Sequence, residues 1–211
     1  VYGDTNSTLA GALAASKLNI PVAHIEAGLR SYFKQMPEEQ NRVLTDHLST
    51  LLFCPTNVAQ TNLQSENITE NVFVVGDIML DASLYYSNKI EENPEAHASQ
   101  LPNDLPEDFY LLTLHRAENT DNPQRLTGIA EALNTYSRVP AVFPVHPRTK
   151  AALQANDIQL KSHIRQIDAV GYLDMLSLEK KSRLIVTDTG GVQKETSFIA
   201  TPSITVRDQT E

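Results

Sequence analysis

Tryptophan is absent from this 211-residue chain, and cysteine occurs once. With Cys54 as its one thiol, the chain can form neither an intrachain disulfide nor a thiolate cluster. The setting in the apolar run Leu51-Leu52-Phe53-Cys54 marks a small buried residue rather than a reactive one. A chain without disulfides fits a cytoplasmic address. No apolar run reaches the about 18 residues of a membrane-crossing helix, and no signal-peptide pattern stands at the start, so no membrane partner is expected. Positive charge is also scarce. Lys and Arg number 17 against 26 Asp and Glu, a net charge of −9, which argues against nonspecific binding to nucleic acid or anionic membrane. Any nucleotide is then held as a small molecule. The sequons at Asn6 and Asn67 read as chance in such a protein.

What the chain does contain is enough apolar material for real cores, 41% of its residues. Short apolar runs alternate with segments of helical periodicity, the pattern of an α/β protein whose parallel sheets are covered on both faces. Strands are expected at Pro21 to Ile25, Thr50 to Cys54, Val72 to Val75, Phe109 to Thr113, Ala141 to Val145, Leu184 to Val186 and Ser203 to Val206, with an eighth near Ile164 to Ile167. Helices fill the gaps, among them one after Pro37 with acids in its first turn and one after Asn122 as N-cap. A domain break is expected near Gly76, giving domains 1–76 and 77–211. The acidic segment from Asn88 to Asp108 reads as irregular and exposed. Val1-Tyr2-Gly3-Asp4 opens within what reads as a strand, and the chain stops just after another, so it reads as a fragment with an incomplete N-terminal domain.

In open parallel sheets the ligand crevice lies beyond the carboxyl ends of the strands. Five polar residues fall at such ends: Asp4, Glu26, His115, His146 and Asp188. One such residue is usually a cap or a turn former, but five form a pattern. Two of the acids, Asp4 and Glu26, come from the first half and the histidines from the second, so a cleft between two domains would bring them face to face. One stretch adds an anion site. Leu184-Ile185-Val186 is followed by Thr187-Asp188-Thr189, then by Gly190 and Gly191, and then by a helical segment from Val192. Strand, tight glycine turn and helix start together leave backbone N–H groups free for an anion.

Several segments in order resemble those of the non-hydrolysing bacterial UDP-N-acetylglucosamine 2-epimerases: "GDTNSTLAGALAASKLNIPVAHIEAGLRS", "MPEEQNRVLTDH", "LLTLHRAEN", "FPVHPRT" and "TDTGGVQKE". The resemblance runs from Gly3 to Glu211 and is weaker between Ser87 and Asp108. It implies the glycosyltransferase-B type of fold, two Rossmann-like domains, and a chain lacking the family's first quarter and a closing C-terminal segment. It implies an isomerase without cofactor or metal that interconverts UDP-GlcNAc and UDP-ManNAc by elimination and re-addition of UDP through 2-acetamidoglucal, for cell-surface polysaccharide. A homodimer is implied for the full-length protein.

By the same resemblance, Asp4, Glu26, Glu38 and His115 are the expected catalytic residues, and Arg116, His146, Arg148, Thr189, Gly190, Gly191 and Glu195 the expected substrate-binding ones. Glu195 would accept hydrogen bonds from the ribose hydroxyls. Thr189 departs from the family's more frequent Ser but keeps the hydroxyl, and Lys194 stands where the family often has an acid. Simpler roles stand beside these: Asp4 as a helix cap, Glu26 paired with Arg30, Glu38 as a first-turn acid in competition with Glu39, and Arg148 as a helix-start charge. Arg42 and Asp46, one turn apart, read as a structural pair. Other sugars stay open, since "TLHRAENTD" and "VQKE" also resemble epimerases of UDP-diacetamido uronic acids. A hydrolysing epimerase, a glycosyltransferase or a nucleotide-sugar sensor on the same fold are the further alternatives.

Overall fold

The computed structural model describes residues 1–92, 101–136 and 138–208. They form two compact units, Val1–Asp81 and Ala82–Asp208. Residues 93–100 of the segment expected to be irregular lie outside the described residues. Its first residues, to Glu92, belong to a helix.

In the first unit the order is α1 (Asn6–Lys17), β1 (Ala23–Ile25), α2 (Pro37–Leu48), β2 (Leu51–Cys54), α3 (Asn57–Ser65) and β3 (Val72–Val74). The strands lie parallel in the order β1-β2-β3. Local chemistry sets the helix starts. Thr5 and Thr56 accept N–H bonds as N-caps of α1 and α3, and Pro37 supplies the fixed φ that opens α2. Leu52, Cys54, Ala59 and Leu63 form the core beneath the sheet. Burial pushes the Cys54 thiol up to about 11, which leaves it protonated and unreactive near neutral pH.

Helix α4 (Ile78–Glu92) follows, and the second unit continues with β4 (Tyr110–Thr113), α5 (Ala117–Thr120), α6 (Pro123–Thr135), β5 (Ala141–Val145), α7 (Pro147–Ala155), β6 (Ile164–Asp168), α8 (Tyr172–Lys181), β7 (Ile185–Thr187), α9 (Gly190–Phe198) and β8 (Ser203–Thr205). Its five strands are parallel, in the order β6-β5-β4-β7-β8. Strands β4 and β5 are buried along their whole length, so they read as unbroken apolar runs rather than as alternation. Pro144 is tolerated in β5 because the β4 ladder covers only Ala141 and Val142. Edge strand β6 has only its first residue buried.

The order of strands has a consequence for ligands. From β4 the chain first builds outward through β5 and β6, and then crosses back to place β7 and β8 on the other side of β4. The sequence order therefore reverses between β4 and β7. Loops leaving the carboxyl ends of two such strands diverge to opposite faces and open a crevice between them.

Candidate functional site

The first unit gathers its polar groups where β1 ends. Tyr2 bridges Ile25, Gly3 turns with φ +69°, and Asp4 follows. Beneath this turn lies His24, 0% exposed, with Nε2 at 2.9 Å from the Gly3 carbonyl and Nδ1 at 2.6 Å from Asp46. Both ring nitrogens thus lie within hydrogen-bond distance of an oxygen. Asp46 also accepts from Gly28 N at 3.1 Å and Arg30 Nη1 at 2.7 Å. Gly28 has φ +81°, and a Cβ there would stand 2.3 Å from the Ala59 carbonyl oxygen, so only glycine fits. The turn after β1 is thus pinned from below. Glu26, its first residue, has φ +75°, a strained conformation for a residue other than glycine, of the kind that clusters at functional positions.

Helix α2 holds the same region from the side. The Arg42 guanidinium meets Asp4 at 2.5 Å, Asn41 Nδ2 donates to the Asp4 carbonyl at 2.9 Å, and Glu38 stands one turn before Arg42 on the same helix face. A Cβ on Gly3 would lie 3.6 Å from Glu26 Oε2, so the Glu26 carboxylate lies against the turn that carries Asp4. Glu39 is committed elsewhere, its oxygens accepting Ser31 N at 2.9 Å and Tyr32 N at 2.8 Å. Three simpler readings need correction. Arg42 pairs with Asp4 rather than Asp46, because Asp46 points into the His24 and Arg30 network. Arg30 is taken by Glu66 at 2.7 Å and by Asp46, not by Glu26. The α1 cap is Thr5, not Asp4.

In the second unit the crevice between β4 and β7 carries His115, Arg116, Asp188 and Thr189. Asp188 is 0% exposed and serves as a scaffold, accepting His115 N at 3.1 Å, Arg116 N at 2.9 Å and Asn119 Nδ2 at 2.9 Å. It thereby bends the chain after β4 so that His115 Nδ1 stands 3.3 Å from Thr189 Oγ1. Burial lowers the His115 pKa; Asp188 opposes this, while His146, Arg116 and Arg148 reinforce it. His146, the N-cap of α7, accepts the Arg148 N–H on Nδ1, and its ring lies 5.5 Å from that of His115. Arg148 is exposed and pairs with Asp121 at 2.7 Å. A hollow of about 210 Å³ opens here, bounded by His115, Pro144, His146, Val170, Met175 and Thr189. Its lining is mostly apolar, with His115, His146 and Thr189 among its polar groups.

Gly190 and Gly191 are themselves the first turn of α9, with Thr189 as N-cap, so the expected separate glycine turn before Val192 is replaced by an earlier helix start. Gly190 does not need φ > 0, and a Cβ there would meet nothing closer than Arg207 Nη1 at 3.8 Å. The glycines leave the N–H groups of the first turn uncovered by side chains. Arg207, which the strand-end rule would have found just beyond β8, has its side chain only 4% exposed and Nε at 3.4 Å from Glu118. It places a cation beside the amino end of α9, a setting for anions. Glu195 lies further along α9, 7% exposed.

Parallel sheets with polar residues gathered at the carboxyl ends of their strands, and one sheet with a topological switch, define an open parallel α/β protein. The UDP-N-acetylglucosamine 2-epimerase family model matches residues 1–211, and the chain belongs to that family. It is 52% identical to a UDP-2,3-diacetamido-2,3-dideoxy-D-glucuronate 2-epimerase of Pseudomonas aeruginosa, covering all of this chain and 58% of the relative. It is 50% identical to a UDP-N-acetylglucosamine 2-epimerase of Methanocaldococcus jannaschii, covering all of this chain and 60% of the relative. The crystal structure of a Methanocaldococcus jannaschii UDP-GlcNAc 2-epimerase in complex with UDP-GlcNAc and UDP matches with a TM-score of 0.91 at 48% identity, over the whole of this chain and 60% of that one. The expected fold class, parallel α/β of the glycosyltransferase-B type, is the fold these neighbours share. The chain spans about 60% of the length of these relatives.

Proposed function

We propose that this chain is part of a UDP-sugar 2-epimerase that acts without a cofactor on UDP-GlcNAc and UDP-ManNAc. The carrying observation is the approach of His115 to Thr189 at the amino end of α9, where a diphosphate would find first-turn N–H groups, a hydroxyl and the buried cation Arg207. Residues 77–211 are assigned the nucleotide, with the diphosphate on Thr189, Gly190 and Gly191, further donors from Arg116, His146 and Arg148, and the ribose on Glu195. Residues 1–76 are assigned the chemistry at C2 through Asp4, Glu26 and Glu38.

The reaction follows from the acidity of the substrate. The C2 hydrogen has no adjacent carbonyl, so a carboxylate removes it only as the C1–O bond to UDP breaks. His115 hydrogen-bonds to or protonates the departing phosphate oxygen. One carboxylate takes the C2 proton, giving 2-acetamidoglucal and UDP. Re-addition of UDP at C1, with protonation of C2 from the other face by a second acid, gives the epimer. Glu39 is less available for this work, since its oxygens are already bonded to two backbone N–H groups.

A second reading keeps the mechanism and changes the sugar. The 52% identity to a diacetamido-glucuronate epimerase favours it. Incubation of the protein in D₂O with UDP-GlcNAc and, in parallel, with the diacetamido uronic acid nucleotide decides between them. Deuterium at C2 of the first supports the main reading, and deuterium only in the second supports the alternative. Transfer to an acceptor, or release of free sugar, overturns both. A cytoplasmic homodimer supplying cell-surface polysaccharide completes the proposal.

A further inference from the structure

Two carboxyl groups, Glu179 and Glu195, are neighbours in the second unit. Glu179 projects from α8 and is 0% exposed. Neither of its side-chain oxygens receives a hydrogen bond from a described donor. Its polar neighbour is Glu195 on α9, whose other polar neighbour is the Tyr172 hydroxyl. That hydroxyl lies 3.4 Å from Ser83 Oγ, itself 0% exposed, so the cluster extends to α4.

Two ionised carboxylates are both acceptors and repel, and a charge sealed from water is costly. A single shared proton removes both penalties. Burial and the Glu195 charge push the Glu179 carboxyl up to about 8, so the proton resides there. Burial raises Glu195 as well, but hydrogen bonds from Tyr172 and Glu179 oppose this and favour its charged form. An apolar side chain at position 179 would avoid the cost of burying a carboxyl. Its presence beside a proposed ligand-binding carboxylate therefore calls for a functional account.

We propose that Glu179 is a positioning residue, a neutral hydrogen-bond donor that fixes one oxygen of Glu195 so that its carboxylate is already oriented for the two ribose hydroxyls of a uridine nucleotide. This rests on the reading of Glu195 as the ribose ligand. A glutamate with three rotatable side-chain bonds otherwise loses that freedom only when the nucleotide arrives, which weakens binding. The Tyr172 hydroxyl also donates to this carboxylate, so Glu195 has two donors.

The test compares UDP with 2′,3′-dideoxy-UDP by titration calorimetry on the wild-type protein, Glu179→Gln and Glu179→Met. The wild type should prefer UDP. Glu179→Met should lose roughly tenfold of that preference, the scale of one hydrogen bond to a charged group, with dideoxy-UDP affinity unchanged and the melting temperature not lowered. Glu179→Gln, whose amide still donates, should keep the wild-type preference. If the wild type does not distinguish the two nucleotides, the ribose reading of Glu195 and this inference fall together. If the wild type distinguishes them and Glu179→Met does so equally, the inference alone falls.

A second arm holds even where Glu179→Met does not fold. The titratable groups facing Glu179 are Glu195 and Tyr172, and burial keeps Tyr172 above its ordinary value of 10. Between pH about 6.5 and about 9.5 the wild-type preference should therefore drop as Glu179 ionises, while that of Glu179→Gln stays level. Parallel profiles for the two proteins overturn the inference.

Discussion

Arg42 and Asp4 meet at 2.5 Å, and the two ends of this pair are unequally exposed: the Arg42 side chain is 1% exposed and that of Asp4 29%. Removing one partner therefore differs from removing the other. Asp4→Ala leaves a guanidinium in the interior without its closest anion and should cost about 3 kcal/mol in urea unfolding. Arg42→Met leaves a carboxylate that reaches water and should cost less. Equal losses would mean that the pair contributes nothing specific to the placement of Asp4.

Asp46 joins His24, Gly28 N and Arg30 with no exposure to water. Asp46→Ala removes the shared acceptor of these three groups from the interior and should destabilise the protein by about 3 to 5 kcal/mol, read as a lower urea midpoint at unchanged slope. Circular dichroism across a urea series checks it.

His115 stands at the switch point between β4 and β7. His115→Asn should lower kcat for C2 exchange by roughly 10² or more, the scale of losing an acid or an electrostatic group, and leave the fold unchanged. Turnover near that of the wild type would remove His115 from the mechanism.

The proposed division of labour separates binding from exchange. Glu195→Ala should weaken UDP binding by about 1.5 to 3 kcal/mol, while Glu38→Gln should leave UDP affinity nearly intact and abolish deuterium uptake at C2. The reverse pattern would exchange the two assignments.

Glu179 also sets a pH dependence of stability. Its carboxyl is raised from 4.5 to about 8 in the folded state, so above pH 4.5 the unfolded chain releases a proton that the folded chain keeps. The folded state then binds more protons, and stability falls as pH rises. The contribution is fully present below pH 4.5 and is lost by about pH 8. Glu179→Gln should remove this slope, as thermal unfolding at several pH values would show.

Much of the architecture was legible because of how parallel sheets bury their strands. Ala141 to Val145 and Phe109 to Thr113 read as strands because both sheet faces are covered, and continuous apolar runs leave little else possible. Asn122 before Pro123 marked the start of α6 because cap chemistry is local, and the Asn122 side chain does accept the Arg125 N–H. Sequence pattern alone puts the start of α9 two residues late, at Val192 rather than Gly190, because glycine has low helix propensity and reads as a turn.

The strand-end residues were likewise set by the sequence, since which residue follows a strand is a matter of order along the chain. Which of them meet was decided only by the tertiary structure. His115 reaches Thr189, 74 residues away, because β4 and β7 are neighbours in the sheet. Arg42 turns to Asp4 rather than to Asp46 because Asp46 is drawn to His24 and Arg30 from 22 and 16 residues away. Glu179 and Glu195 become neighbours because α8 and α9 bring two acids to one buried place. Sheet order and burial choose such partners across long separations, and no local pattern in the chain records that choice.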